Sequence, residues 1–252
     1  MSLVDEAPTD TAEVAAAERH LLARVGAAPV AEAPFPHLFV EEAFPAAFYR
    51  RLLAELPAPA DLPTLRSTGR VGPMYSPERR VLELRPEAIG RLPGPRAAFW
   101  SAFARSLRGW PLFAALGRRF APQLAARFPG GLDGITIDAL YCDDAARYAL
   151  EPHTDAPRKV LTALFYLPEA PGQEHLGTAL YEPVDAGFRS AGEWHQPRDR
   201  FRLARTMPYR PNAMFAFAKS DRSFHGVEPV ADADLFRRVL IVNVSDAGSA
   251  RQ

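Results

Sequence analysis

The chain is short of cysteine, lysine and net charge, and each shortage removes a class of explanation. A single cysteine, Cys142, stands among 252 residues, so neither an internal disulfide nor a cluster of thiolate metal ligands can form. Thirty basic and thirty acidic side chains cancel to a formal charge of zero, which leaves no overall field to hold a polyanion, and nucleic acid is not expected as a partner. Apolar runs are short. Val160–Leu167 is among the longest, far below the roughly 18 residues that cross a bilayer, so no membrane partner is expected. The acidic start from Met1 to Asp10 lacks the basic and apolar parts of a secretion signal, and a cytoplasmic location is expected. Internal repeats and a glycine-rich phosphate loop are absent as well. Lysine occurs only at Lys159 and Lys219, leaving 28 of the 30 basic residues as arginine, which together with abundant Ala and Pro fits a GC-rich bacterial genome.

What is present describes a folded globular protein: 48% hydrophobic and 24% charged residues, in a length that fits one domain (1–252) with a sizeable core. Residues 1–10 form a polar tail, and Asp10-Thr-Ala-Glu13 offers a capping-box start for a helix over Thr11–Val25, ended by Gly26 and Pro29. Pro34–Val40 predicts a short strand, followed by a helix from Pro45 with Phe48, Leu52, Leu53 and Leu56 on one face. Residues 57–80, rich in Pro and Gly, predict a long loop of the kind that serves as a lid. A helical block over Pro95–Phe128, broken near Gly109-Trp-Pro111 and Gly117, completes a helical part spanning 11–131. From 132 to 246 the texture is β: Ile135–Tyr141, Val160–Leu167, Thr178–Glu182, Phe201–Met207, Ala213–Phe217 and Val239–Val244 alternate with Pro, Gly and Asp clusters. The expected fold is mainly β, a jelly roll with the N-terminal helices buttressing its sheet rather than alternating with strands.

Of six histidines only His153 is followed two positions later by a carboxylate, in Glu151-Pro-His153-Thr-Asp155. Residues two apart in extended chain point the same way, so His153 and Asp155 can present a nitrogen and an oxygen to one ion. The third ligand is expected at His225, immediately before the last strand pattern Arg237-Arg-Val-Leu-Ile-Val-Asn-Val244. Two histidines and one carboxylate on a β scaffold suit non-haem Fe(II) and leave coordination positions open for a 2-oxo acid and dioxygen. His20, His37, His175 and His195 lack a carboxylate at ligand spacing and are read as loop or surface residues.

With these pieces in order, the sequence resembles the 2-oxoglutarate and Fe(II)-dependent dioxygenases, most closely the prolyl-hydroxylase-like branch. The resemblance runs over Ile135–Val244: Tyr141, His153-Thr-Asp155, Lys159–Leu167, Gly177–Tyr181, His225-Gly-Val and Arg238. It implies a double-stranded β-helix, cupin-like in form, whose Fe(II) couples decarboxylation of 2-oxoglutarate to succinate with hydroxylation of a C–H bond. In that reading 2-oxoglutarate is the co-substrate, dioxygen the oxidant and ascorbate a candidate reductant. Tyr141 and Tyr166 match positions that hydrogen-bond the co-substrate, and Thr162 shares strand parity with Tyr166. For the distal carboxylate of 2-oxoglutarate, parity leaves Arg237 and Arg238 open. Asn243 on the parity of Arg237 favours that residue, whereas the family's basic residue usually sits directly before the apolar run, which favours Arg238. Arg238 is therefore the expected anchor.

Leu150 stands where the branch often has an aromatic, and the segment from Tyr141 to His153 is about two residues longer than in prolyl hydroxylases, so prolyl specificity does not carry over. Between Glu182 and Phe201 lies a Gly- and Pro-punctuated insertion with Phe188, Arg189, Trp194 and His195, expected to act as a substrate lid. The function expected is hydroxylation of a small metabolite or biosynthetic intermediate. A protein prolyl hydroxylase and a non-catalytic ligand-binding β-helix are the alternatives.

Overall fold

The structure is a computed structural model and describes residues 8–72, 75–132, 134–145, 148–192, 195–229 and 236–248. Most of the expected polar tail, and Trp194, lie outside the described residues. Six helices, α1 (Pro8–Ala27), α2 (Ala46–Ala54), α3 (Pro86–Ile89), α4 (Gly94–Leu107), α5 (Trp110–Arg119) and α6 (Ala121–Arg127), occupy the first half. The strands are β1 (Val30–Ala31), β2 (His37–Val40), β3 (Arg79–Glu83), β4 (Ile135–Asp144), β5 (Leu150–His153), β6 (Lys159–Tyr166), β7 (Ala179–Pro183), β8 (Phe201–Thr206), β9 (Ala213–Ala218), β10 (His225–Val227) and β11 (Arg237–Asp246). None of the described helices is long and apolar enough to cross a membrane.

Local chemistry accounts for the helix limits, with two departures from the sequence expectation. Helix α1 begins at Pro8, so Asp10 sits inside the first turn; its carboxylate and that of Glu13 reach Arg51 on α2 instead of closing a capping box. Within the helical block the break at Gly109 stands as expected, but Gly117 lies inside α5 and the second break falls at Phe120, followed by Pro122 in the first turn of α6.

Two antiparallel sheets form the β-helix. The larger has the order β1-β2-β9-β6-β11-β4-β3 and the smaller β5-β10-β7-β8. Alternation along each central strand of the larger sheet sends side chains to two different buried places. Leu240, Val242 and Val244 of β11 join Leu161, Ala163 and Phe165 of β6 beneath the helices, where Phe44 stacks on Phe165 at 5.4 Å and Phe48, Phe99, Trp100 and Phe103 fill the layer. Val239 joins Leu164, Tyr166, Phe215 and Phe217 between the sheets. Both faces are therefore apolar, and the alternation of hydrophobic and polar residues that marks a half-exposed strand disappears. Cys142 lies in the inter-sheet layer, where burial pushes its thiol up to about 12 and leaves it inert.

Candidate active site

Strands β5 and β10 are direct neighbours in the smaller sheet, with His225 paired to His153 across the ladder. Both side chains thus stand on one face, their ring centroids 4.4 Å apart. Gly226 makes this pairing tight, since a Cβ there would lie 2.4 Å from the carbonyl oxygen of Leu150. Asp155 follows β5 directly, and one ligand atom from each of His153, Asp155 and His225 lies within 4.8 Å of the others.

The protonation of these groups suits a metal. Nδ1 of His153 donates to the carbonyl of Glu151 at 2.9 Å and Nδ1 of His225 to that of Ser223 at 2.9 Å, which fixes the tautomer that leaves both Nε2 atoms as bare lone pairs. Burial, then the neighbouring His225, lowers the pKa of His153 to about 3, and burial lowers that of His225 as well, so both rings are neutral near neutral pH. Burial opposes ionisation of Asp155, but Lys159 and the two imidazoles outweigh it and hold its carboxyl well below the usual range. Lys159 Nζ donates to Oδ1 at 2.8 Å and Thr162 Oγ1 to Oδ2 at 2.7 Å, fixing the carboxylate plane. Two neutral imidazoles and one carboxylate, with their outer hydrogen bonds in place, fit a divalent transition metal.

The triad opens onto a cavity of about 250 Å³ between the sheets, lined also by Thr162, Thr178, Arg237 and Asn243. Here the structure departs from the expected anchor. Arg237, not Arg238, faces the cavity: it is 5% exposed, donates through Nε to the carbonyl of Leu176 at 2.7 Å and through Nη1 to Asp144 at 2.9 Å, and its Nη2 is buried with no partner among the described residues. Arg238 points to the opposite face of the sheet, pairing with Asp143 at 3.3 Å and Glu169 at 2.7 Å. The register explains both, because the doublet Arg237-Arg238 lies directly across from Asp144-Asp143, giving one rung to each face.

Tyr141 shares the parity of Asp143 and likewise turns away from the cavity, into the helical layer, where its hydroxyl donates to Asp143 at 3.2 Å. It is not brought to the triad. Tyr166 lies on the inner face, its hydroxyl donating to Thr178 Oγ1 at 2.8 Å with the Arg237 guanidinium 5.9 Å from its ring. Thr162, through Asp155, is the expected co-substrate residue that touches the triad itself.

Two loops wall the cavity. From the 57–80 segment come Leu65, Arg70, Val71 and Tyr75, with Arg70 tied to Glu83 at 2.7 Å and to Asp138. The insertion supplies His195, whose ring centroid is 5.0 Å from that of His153. His195, expected as a loop or surface residue because no carboxylate stands at ligand spacing, thus lines the cavity, and its place in the insertion is the one sequence signal for that. The described residues on both sides of 193–194 are pinned to the core. Gln196 N donates to Pro152 O at 2.7 Å, Arg198 pairs with Glu151 at 3.2 Å and with Glu228, and Phe188 stacks on Phe224 at 5.6 Å. Gly192, at φ +113°, passes so close to the segment after β5 that a Cβ would lie 2.2 Å from Asp155 O.

No protein-family model and no curated protein matches the sequence. Solved structures do match. The non-heme alpha ketoglutarate dependent epimerase SnoN from nogalamycin biosynthesis aligns with a TM-score of 0.50 at 14% identity over 91% of this chain and 83% of that one. A Pseudomonas putida prolyl-4-hydroxylase aligns at 0.48 and 18% identity over 89% and 98% of the two chains. An oxidoreductase of the 2OG-Fe(II) oxygenase family from Burkholderia pseudomallei aligns at 0.47 and 13% identity over 91% and 90%. With two antiparallel sheets closing on a His-Asp-His cavity and helices on the outer face, the chain has a double-stranded β-helix fold, shared with the alpha ketoglutarate dependent epimerase.

Proposed function

We propose that the protein is an Fe(II)- and 2-oxoglutarate-dependent oxygenase that hydroxylates a C–H bond of a small metabolite or biosynthetic intermediate. The observation that carries this reading is the placement of a buried arginine with an unpartnered Nη2 in the same cavity as the three candidate ligands. His153, Asp155 and His225 would hold the iron, which when bound supplies the redox chemistry linking decarboxylation of 2-oxoglutarate to oxidation of the substrate. Arg237 would hold the distal carboxylate of the co-substrate. A planar guanidinium matches a carboxylate, and a buried anion needs such a charge-assisted partner. Thr178, bonded to Tyr166, lies on the cavity wall beside it.

Lys159 and Thr162 keep Asp155 ionised and oriented. Leu65, Val71, Leu150 and Val227 would exclude water on the substrate side, and His195 would offer a neutral hydrogen-bonding group there, because burial lowers its pKa. Narrowing of the cavity mouth by residues of two loops, among them Leu65, Val71, Tyr75 and His195, favours a small molecule over an extended chain. The test is succinate formation with Fe(II) and 2-oxoglutarate, in air and without oxygen, against a panel of small metabolites. Oxygen-dependent succinate that rises with one substrate is the expected result. A protein that binds neither Fe(II) nor 2-oxoglutarate overturns the reading.

A further inference from the structure

Arg79, Asp144 and Arg237 stand in one row across β3, β4 and β11, Asp144 being the register partner of both arginines. All three are buried, at 6%, 1% and 5% exposure. Arg79 grips the carboxylate with two bonds, Nε to Oδ1 at 2.6 Å and Nη2 to Oδ2 at 2.8 Å, whereas Arg237 makes only the 2.9 Å bond from Nη1. Two cations thus share one anion, and the row is one negative charge short in a place from which water is largely excluded. On its other side Arg79 Nη1 donates to the Tyr75 hydroxyl at 3.2 Å, Tyr75 meets the Tyr148 hydroxyl at 2.7 Å, and the guanidinium lies 4.3 Å from the Tyr148 ring centroid. Tyr75, in the wall loop, and Arg79 itself both line the cavity.

An aspartate beside a carboxylate-binding arginine is a competitor, because it neutralises the cation and occupies part of its donor fork. We propose that Arg79 is a positioning residue for the co-substrate site: by holding Asp144 from the far side it leaves Arg237 charge and donors for an incoming carboxylate, and through Tyr75 it joins the wall loop to that anchor. This rests on the reading of the cavity as a 2-oxoglutarate site. Arg79 acts through Asp144, so its effect on co-substrate binding depends on that carboxylate being there.

The experiment is calorimetric titration of 2-oxoglutarate into the full-length Mn(II)-loaded protein for wild type, Arg79→Gln, Asp144→Asn, the double variant and Arg237→Gln, with Mn(II) affinity measured for each. Arg79→Gln is expected to raise the dissociation constant about tenfold or more while Mn(II) affinity holds, and the double variant to return it to within about threefold of wild type. Asp144→Asn alone is expected to bind as tightly as wild type or more so. A merely structural role for the cluster would make the two losses add. Unchanged binding in Arg79→Gln, or no recovery in the double variant, overturns the proposal. Should Arg79→Gln fail to fold, Asp144→Asn still decides: tenfold weaker binding overturns the proposal, and equal or tighter binding supports it. Failure of the underlying reading looks different, since wild type then binds no 2-oxoglutarate or Arg237→Gln binds it normally.

Discussion

Replacing Arg237 by alanine separates the two adjacent arginines by function. The substitution removes the unpartnered Nη2 from the cavity but leaves Asp144 gripped twice by Arg79, so no buried carboxylate is stranded and the chain should stay folded. Losing one partner of a buried, hydrogen-bonded charge pair costs about 2–5 kcal/mol, which is a roughly 30-fold or greater rise in the apparent constant for 2-oxoglutarate. With saturating co-substrate the turnover number should fall less than kcat/KM, because the lost contact serves binding. Arg238→Ala acts on the other face. It strips the buried Asp143 of its cation, so it should lower the melting temperature while the 2-oxoglutarate constant stays within about threefold of wild type. The assay is the initial rate of succinate formation at varied 2-oxoglutarate, with thermal unfolding beside it. A large effect confined to Arg238→Ala would refute the reasoning, and no effect in either variant removes the arginine anchor altogether.

Asp155→Ala should abolish both turnover and stoichiometric Mn(II) or Co(II) binding, whereas in wild type those ions should occupy the site without supporting turnover; Fe(II) binding with full activity in the variant would sink the triad. Lys219 is buried beside Thr154, and burial lowers its pKa from 10.5 to about 8. Between those two values the unfolded chain binds the extra proton, so this group's contribution to stability rises with pH. Lys219→Met, lacking the charge, should therefore lose that part of the pH slope: its stability relative to wild type falls as pH rises from about 8 to 10.5 and is flat below, and a parallel pair of denaturation curves would contradict this. Gly192→Ala combines a strained φ with a contact at 2.2 Å, so it should cost on the order of 1–3 kcal/mol or lift the insertion off Asp155. Uncoupled 2-oxoglutarate decay is the expected consequence, and a variant as stable and as coupled as wild type would show that the insertion does not shield the site.

The long strands were legible in the sequence because apolar runs such as Val160–Leu167 and Val239–Val244 are buried on both faces and are bounded by polar, Pro, Gly or Asp residues. Strands β3, β5 and β10 were not. Leu150-Glu-Pro-His153 and His225-Gly-Val227 are too short to show a period, and they are strands because each pairs with the other in space. The spacing in His153-Thr-Asp155 marked a candidate metal pair, and the order of the motifs pointed to His225, but only the ladder between β5 and β10 brings the two rings to 4.4 Å. The arginine doublet shows the limit most clearly. Parity placed Arg237 with Asn243 and Arg238 with Leu240, yet could not say which set faces a cavity, since a sheet covered on both sides buries both. The register against β4 decided it, by setting Asp144 and Asp143 on opposite faces across from the two arginines. Local sequence determines which residues alternate; which face receives the cavity depends on partners more than 90 positions away in the chain, as in the Arg237–Asp144 pair, and only the folded packing supplies them.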